Sequence, residues 1–599
     1  MGSHLRNIQK VDETSHPYIF QENVSVPLTN GGVVRCNVYL PKESEEKQYP
    51  VIVTYGPYGK DVPYKDFHAE SFDKVDKDHQ TDHSAWETPT PRYWTAHGYA
   101  VVRADEIGIG QSPGTLDVLS KATIDSFVEV IEWSAKQKWS TGKVGLLGIS
   151  YYAATQWQVA ARNPKGLAAM VPWEGFSDFY RDAFRHGGIL SNNFFSFWWA
   201  RQVGSNQYGL PGKAARNWGP DTIEGDLSEE ELATNRVEQE SIFKHRYLDE
   251  ERIESVNFDL EDVRVPLLSI ANWGAISLHL RGNVHGFMRA GSELKYLRFI
   301  TGRHDLPFYY PEEVELQRSF LDAFLKGDDR DGWSRKGQVP QVELVVRKGA
   351  EKIGFSQPEA EKQFPRRKES EWPLARTEYE NLFLTPSGGL QYDRPDIAKP
   401  CEVSYPALGM LQSPHIVSFS TGPVQTETEI TGHIVAHLNV SAAKDPESGN
   451  VPSDLDLFLT LRHMTASGQE ISYTGAIGEP VPVAKGWLRA SLRKTNPEHP
   501  YHAFWLPHRE YVSTDLLPVV ADEPYAVDVE IWPTSVVLEK GQSLVLEVSS
   551  GDTDGAGIFQ HNDPNDRSQK VFQGINRIHF GSEHVNTLTI PVIPQKQMI

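Results

Sequence analysis

The stretch whose reading decides the fold is Lys143-Val144-Gly145-Leu146-Leu147-Gly148-Ile149-Ser150-Tyr151-Tyr152-Ala153-Ala154. Its apolar run ends in Gly148-Ile149-Ser150 and passes into small, helix-compatible residues. That pattern describes a strand, a sharp turn and a helix, with a serine at the apex. Such a turn strains the serine backbone, so the residues two positions either side must be small. Gly148 meets this upstream; downstream, Tyr152 stands where the general G-x-S-x-G pattern has glycine, followed by Ala153 and Ala154. The motif is incomplete by itself, and its neighbours must decide.

Upstream, Thr123 to Lys138 carries apolar residues at Phe127, Val130, Ile131 and Trp133, an amphipathic helix. Before it, Tyr99 to Ala104 reads as a buried strand. Asp105 to Gly114 then superficially has the glycines of a dinucleotide-binding loop, but Ser112-Pro113 forbids a helix opening there and the segment reads as a structural turn. Pro50 to Tyr55 is another buried strand, ending in Gly56-Pro57-Tyr58-Gly59. Val24 to Leu40 alternates around Asn30-Gly31-Gly32, a hairpin. Residues 5–22 read as an arm, and Met1 to His4 as a cloning remnant. Residues 60–90 are polar; His79 and His83 invite a metal site, but without supporting carboxylates the segment reads as a solvated loop.

Downstream, the helix continues over residues 155–162 and Leu167 to Trp173 is a strand with Glu174 at its end. From Phe176 to about Ile253 the text turns aromatic and glutamate-rich, which reads as a helical insertion over the sheet edge. Its cluster Phe194-Phe195, Phe197, Trp198-Trp199 serves as insertion core, with Phe194, Phe195 and Trp198 as candidates to touch substrate as well. The strands resume at Val265 to Ala271, turn at Asn272-Trp273-Gly274 and continue through a helix near Leu278 to Ala290. Tyr296 to Thr301 is a last strand, followed by Gly302-Arg303-His304-Asp305 and the helix Pro311 to Lys326. Trp273 is a further candidate for the substrate wall. Beyond about Gly332, short alternating runs including Val342 to Val346, Leu455 to Leu461 and Leu544 to Val548 indicate an all-β sandwich or jelly roll, either a carbohydrate-binding module or a support for the insertion.

Strand and helix alternating before and after the insertion define a doubly wound sheet, whose carboxyl ends hold ligands. The expectation is an α/β chain: an α/β-hydrolase domain over residues 20–175 and 255–330, a helical cap over 176–254 and a C-terminal β jelly-roll domain over 335–599. At 599 residues the chain needs several cores. A formal charge of −21 without a basic block excludes a nucleic-acid or anionic-membrane partner, and Cys36 and Cys401 are too few for a disulfide scaffold. With no apolar run of membrane-spanning length and no signal-peptide core, a cytoplasmic location is expected.

A serine hydroxyl needs a base to take its proton and a carboxylate to hold that base in the right tautomer. Ser150 and His304 fit nucleophile and general base by their places at strand ends. The Tyr151 backbone N–H, directly after the nucleophile, and the Tyr58 hydroxyl fit an oxyanion hole.

The hairpin, Gly56-Pro57-Tyr58, the glycine run from Gly108 to Gly114, Gly148-Ile149-Ser150-Tyr151, the insertion, His304, Gly486-Trp487-Leu488-Arg489-Ala490-Ser491 and the terminal β domain together resemble the cocaine esterase and X-Pro dipeptidyl-peptidase family, the CocE/NonD serine hydrolases. The resemblance covers nearly the whole chain from about residue 24. It implies a Ser, His and acid triad with a tyrosine in the oxyanion hole, carried by Ser150, His304, Tyr58 and Tyr151. In cocaine esterase-like members the acid follows the strand matching Leu267 to Ala271 in a Trp-x-Asp turn, but here that turn reads Trp273-Gly274-Ala275. Glu174, one strand earlier on the same edge, is the expected acid, with Asp305, Asp178, Asp182 or no acid as alternatives. Members acting on amino-acyl groups carry an acidic residue three positions after the serine; here it is Ala153, which disfavours an aminopeptidase or α-amino ester hydrolase role and favours an apolar or aromatic acyl ester, lactone or amide.

The expected activity is therefore cofactor-independent hydrolysis of a small-molecule carboxylic ester, lactone or amide through an acyl-enzyme, with no metal. An acyltransferase or lyase on the same scaffold, or a non-catalytic binding protein on a decayed one, are the alternatives, and a homodimer is compatible with the chain.

Overall fold

The computed structural model describes residues 9–212 and 225–594, so Met1 to His4, the start of the arm and part of the cap lie outside the described residues. One mixed sheet carries eleven strands: β1 (Lys10–Asp12), β2 (Ile19–Pro27), β3 (Val33–Leu40), β4 (Tyr49–Gly56), β5 (Ala100–Asp105), β6 (Ser140–Ile149), β7 (Leu167–Trp173), β8 (Leu267–Asn272), β9 (Lys295–Ile300), β10 (Val342–Val345) and β11 (Arg366–Glu369). Their spatial order is β1-β2-β3-β5-β4-β6-β7-β8-β9-β10-β11. From β5 through β10 neighbouring strands run parallel, and these strands are buried on both faces, hence their continuous apolar runs.

The chain leaves β4 toward β5 on one side and returns to β6 on the other. The carboxyl ends of β4 and β6, bearing Tyr58 and Ser150, thus flank the switch point where such sheets bind ligands. Among the described residues, the longer helices on the faces are α1 (Lys121–Ala135), α2 (Tyr151–Ala160), α3 (Leu280–Arg289) and α4 (Pro311–Leu321). The Ser120 hydroxyl caps α1 by accepting the Thr123 N–H at 3.2 Å, and Ile124, Phe127, Val130 and Ile131 form its buried stripe.

Three sequence readings change. The arm supplies β1, which pairs antiparallel with β2 at the sheet edge. Val342–Val345 belongs to this sheet rather than the β sandwich, because Leu297 and Arg298 of β9 pair in parallel with Val342 and Glu343. Residues 60–90 are not a solvated loop: short helical turns place Tyr64, Phe67, His79, Trp86 and Glu87 in the interior.

The cap consists of short helices, among them Asn192–Trp198, Glu229–Thr234 and Gln239–Phe243. Beyond it, antiparallel strands from Glu378 to Ile593 join into one continuous sheet of jelly-roll type. The sequence-conspicuous Arg489 is structural: it binds the Asp456 and Asp566 carboxylates, while Arg185 of the cap binds Asp566 at 2.7 Å. Among the described residues no helix is long and apolar enough to cross a membrane.

Candidate active site

Ser150 sits between β6 and α2 at φ 59°, ψ −116°, a left-handed conformation that a serine adopts only under constraint. The constraint is visible, since its N–H donates to the Trp173 and Glu174 carbonyls, each at 3.1 Å. The missing downstream glycine is compensated on facing strands. A Cβ on Gly148 would lie 2.6 Å from the Tyr152 Cβ, and one on Gly56 would lie 2.7 Å from the Tyr152 ring. A Cβ on Gly175 would lie 2.4 Å from that of Ala153. The bulk admitted at Tyr152 is thus offset by glycines opposite it.

Tyr151 opens α2, so its N–H is a first-turn donor with no intrahelical acceptor, and its hydroxyl is anchored to the Glu106 carboxylate at 2.8 Å. The Tyr58 hydroxyl accepts the Trp198 indole N–H at 3.1 Å and lies close enough to Ser150 for the two hydroxyls to interact. Burial, with Glu87 nearby, holds Tyr58 well above the usual phenol range, so it is a proton donor.

His304 follows β9, its backbone N–H held by the Ala476 carbonyl of the β domain at 2.9 Å. Its Nε2 lies 2.7 Å from Glu87 Oε1, not against Ser150. The Ser150 Oγ instead pairs with His279 Nε2 at 3.3 Å. The two imidazoles stand edge to face, 6.1 Å between centroids. Burial opposes charge on His304, but the hydrogen bond and charge of Glu87, then Glu174 and Asp305, push it up to about 9. Burial and the nearby His304 hold His279 well below the usual imidazole range, so it is neutral.

Glu174 ends β7 as expected, fully buried, its Oε1 accepting the Asn272 amide at 3.1 Å. No hydrogen bond joins it to His304; its Oε2 has no partner among the described residues. Burial pushes Glu174 up to about 8, against the opposing field of His304 and the Asn272 hydrogen bond. The other candidate acids are engaged elsewhere: Asp305 with Arg303, Tyr64 and Ser71, Asp178 with Arg181, and Asp182 with Arg281.

The expected substrate wall divides. Trp198 reaches the site through Tyr58 and stacks against Tyr151 at 5.9 Å, and Phe195 packs edge-on to Trp198. Phe194 instead stacks on Phe559 of the β domain at 4.9 Å. Trp273 is a correction: fully buried, it stacks on Phe299 at 3.9 Å and donates to the Val345 carbonyl, so it is core between β8 and its neighbours. His79 and His83 bind Thr90 and Tyr18 rather than each other.

Glu87 and His279 were missed in the sequence. Glu87 stands at no strand end and in no periodic pattern, a Trp-Glu pair before a proline-rich turn being its sole local sign, and His279 falls at the start of the helix read from near Leu278, where nothing in the spacing aims it at Ser150.

The fold, with its strained serine on a strand-to-helix turn and a histidine after a later strand, defines the chain as an α/β-hydrolase of the serine type. A model of the X-Pro dipeptidyl-peptidase (S15 family) matches residues 30–304, and one of the X-Pro dipeptidyl-peptidase C-terminal non-catalytic domain matches 334–589. Those two matches, with the relatives that follow, make the chain a CocE/NonD, X-Pro dipeptidyl-peptidase-like serine hydrolase. It is 24% identical to a cocaine esterase of Rhodococcus sp. (strain MB1 Bresler) over 96% of this chain and 99% of the relative. A CocE/NonD family hydrolase from Staphylococcus aureus superposes with TM-score 0.79 at 26% identity, covering 99% of this chain and 97% of that one. An α-amino acid ester hydrolase shares the fold at TM-score 0.65 and 17% identity, with 97% of each chain covered.

Proposed function

We propose that this serine hydrolase cleaves a small-molecule carboxylic ester, or a lactone or amide, through an acyl-enzyme on Ser150. The observation that carries the reading is the Ser150 backbone, held left-handed by two hydrogen bonds so that its hydroxyl stands at the switch point beside Tyr58. His304 acts as general base once its Nε2 turns from Glu87 to Ser150. In a serine triad the other ring nitrogen, Nδ1, donates to the acid. The buried, unpartnered Oε2 of Glu174 is the acceptor proposed for it. That assignment is supported by the field Glu174 and His304 exert on each other and by Asn272, which fixes the other carboxylate oxygen from the turn where the Trp-x-Asp acid is missing.

Attack by Ser150 Oγ on the carbonyl carbon puts negative charge on the carbonyl oxygen. The Tyr151 N–H and the Tyr58 O–H are the donors proposed to receive it, each of the kind whose removal costs on the order of 10²–10³ in rate. His304 then returns the proton to the leaving group, and water, deprotonated by the same imidazole, hydrolyses the acyl-enzyme. The preference for acyl groups follows from Phe195 and Trp198 beside Tyr58 and Tyr151. A panel of p-nitrophenyl esters of graded acyl length tests this: turnover is expected in the wild type, abolished by Ser150→Ala and lowered about 10²–10³-fold in kcat by Tyr58→Phe. Undiminished turnover by Ser150→Ala overturns the reading.

A further inference from the structure

In the free protein each reacting group is held by a third party: His304 Nε2 by Glu87 and the Ser150 hydroxyl by His279. For Nε2 to receive the Ser150 proton, Glu87 must release it. Glu87 is built into the nucleophile turn. Its carbonyl accepts the N–H of Ile149, the residue before the serine, at 3.1 Å, and its backbone is left-handed at φ 60°. A non-glycine residue persists there only when its surroundings over-determine it, and such residues gather at functional sites. The neighbouring Trp86 stacks on His68 at 5.3 Å and packs edge-on against His304, and the Thr88 carbonyl is held by the Tyr309 hydroxyl. The segment therefore cannot carry Glu87 away to water.

The Glu87 side chain is 2% exposed; its Oε2 has no partner at full hydrogen-bond geometry among the described residues, and the neighbouring Trp86 indole N–H is the one further donor acting on the carboxylate. Once His304 turns to Ser150, the buried carboxylate keeps only that Trp86 interaction and is under-satisfied, a state that disfavours the reactive arrangement unless a donor replaces the imidazole. Ser150, Tyr58 and Tyr152 surround the same space. A substrate bound at Ser150 can carry a donor into that space.

We propose that Glu87 is a specificity-determining residue: it occupies the proton-accepting nitrogen of His304 in the free enzyme and is taken over in the complex by a hydrogen-bond donor on the substrate, selecting acyl groups that bear a hydroxyl or amino group near the scissile carbonyl. This rests on the serine-hydrolase reading above. An acyl group with such a donor satisfies the carboxylate as it frees the base. A plain alkyl acyl group frees the base and leaves the carboxylate under-satisfied.

The test compares p-nitrophenyl butanoate, 3-hydroxybutanoate and 3-aminobutanoate in the wild type, Glu87→Gln and Glu87→Met. The wild type is expected to favour one or both donor-bearing esters over butanoate by about 10–100-fold in kcat/KM. The hydroxy and amino arms separate a neutral donor from a charged one. Glu87→Met, without an acceptor, is expected to bring the ratio within about threefold of unity, and Glu87→Gln, which keeps a carbonyl oxygen, to retain an intermediate preference for the hydroxy ester. A wild type indifferent to the donor overturns the proposal, as does a preference that survives in Glu87→Met; a purely structural role would depress all three esters alike with their ratio intact. Should Glu87→Met not fold, an unchanged ratio in Glu87→Gln overturns it equally. Ser150→Ala reports separately: if it hydrolyses the esters as the wild type does, the serine-hydrolase reading has failed instead.

Discussion

If His304 is the base proposed for Ser150, its imidazole must be neutral to accept the proton, and its surroundings set the pH at which that happens. With its pKa pushed up to about 9 by Glu87, Glu174 and Asp305, overcoming burial, only about 1% of free enzyme holds the neutral base at pH 7. Because kcat/KM reports ionisations of the free enzyme, it should climb about tenfold per pH unit from pH 7 and level off above about 9. A buried carboxylate itself raised by desolvation shares the proton across 2.7 Å, so the His304–Glu87 pair titrates as a unit. Glu87→Gln removes the hydrogen bond to a carboxylate and the largest charge acting on His304, leaving Glu174, Asp305 and Glu479. The limb should then move toward acid by on the order of 2 pH units. The same pair links to stability: His304 is raised above 6.5, so its contribution is complete below about pH 6.5 and is lost as pH rises through about 9. At 1.36 kcal/mol per pH unit this amounts to about 3 kcal/mol. Initial rates on a non-chromogenic ester by pH-stat, with thermal unfolding at the same pH values, measure both. A limb centred near 6.5 in the wild type, or one unmoved by Glu87→Gln, refutes the reasoning.

Two further outcomes follow from the same geometry. Glu174→Gln keeps the Asn272 contact through its amide oxygen but cannot stabilise the imidazolium, so kcat should fall by on the order of 10²–10⁴ with an unchanged circular dichroism spectrum; near-normal turnover removes Glu174 from the triad. Gly175→Ala drives a methyl into Ala153 behind the nucleophile turn and should lower stability by about 1–3 kcal/mol in urea unfolding, with no change in stability contradicting the packing described.

The places of Ser150, Tyr58 and His304 at the carboxyl ends of sheet strands could be read from the chain because the parallel strands before them are apolar on both faces and end in glycine-marked turns, signals that are local. Glu87 carries no such mark. Its segment is polar enough to read as solvated, and only the docking of Trp86 and Phe67 onto the sheet edge buries it. His279 reaches Ser150 from a turn five residues beyond Gly274, a convergence that no spacing announces. Val342–Val345 alternates as a β-sandwich strand would, and only its parallel register with β9 assigns it to the first sheet. Trp273 lies at a strand end on the functional edge, yet its ring turns inward because Phe299 and the Val345 carbonyl complete its packing.

The central claim is that the hydroxyl of Ser150 forms the covalent intermediate, and peptide mass spectrometry after fluorophosphonate treatment tests it most directly. A single adduct on the peptide bearing Ser150, formed faster as pH rises toward 9 and absent in Ser150→Ala, is the expected result. An adduct on another residue, or ester hydrolysis persisting in protein quantitatively labelled at Ser150, contradicts it.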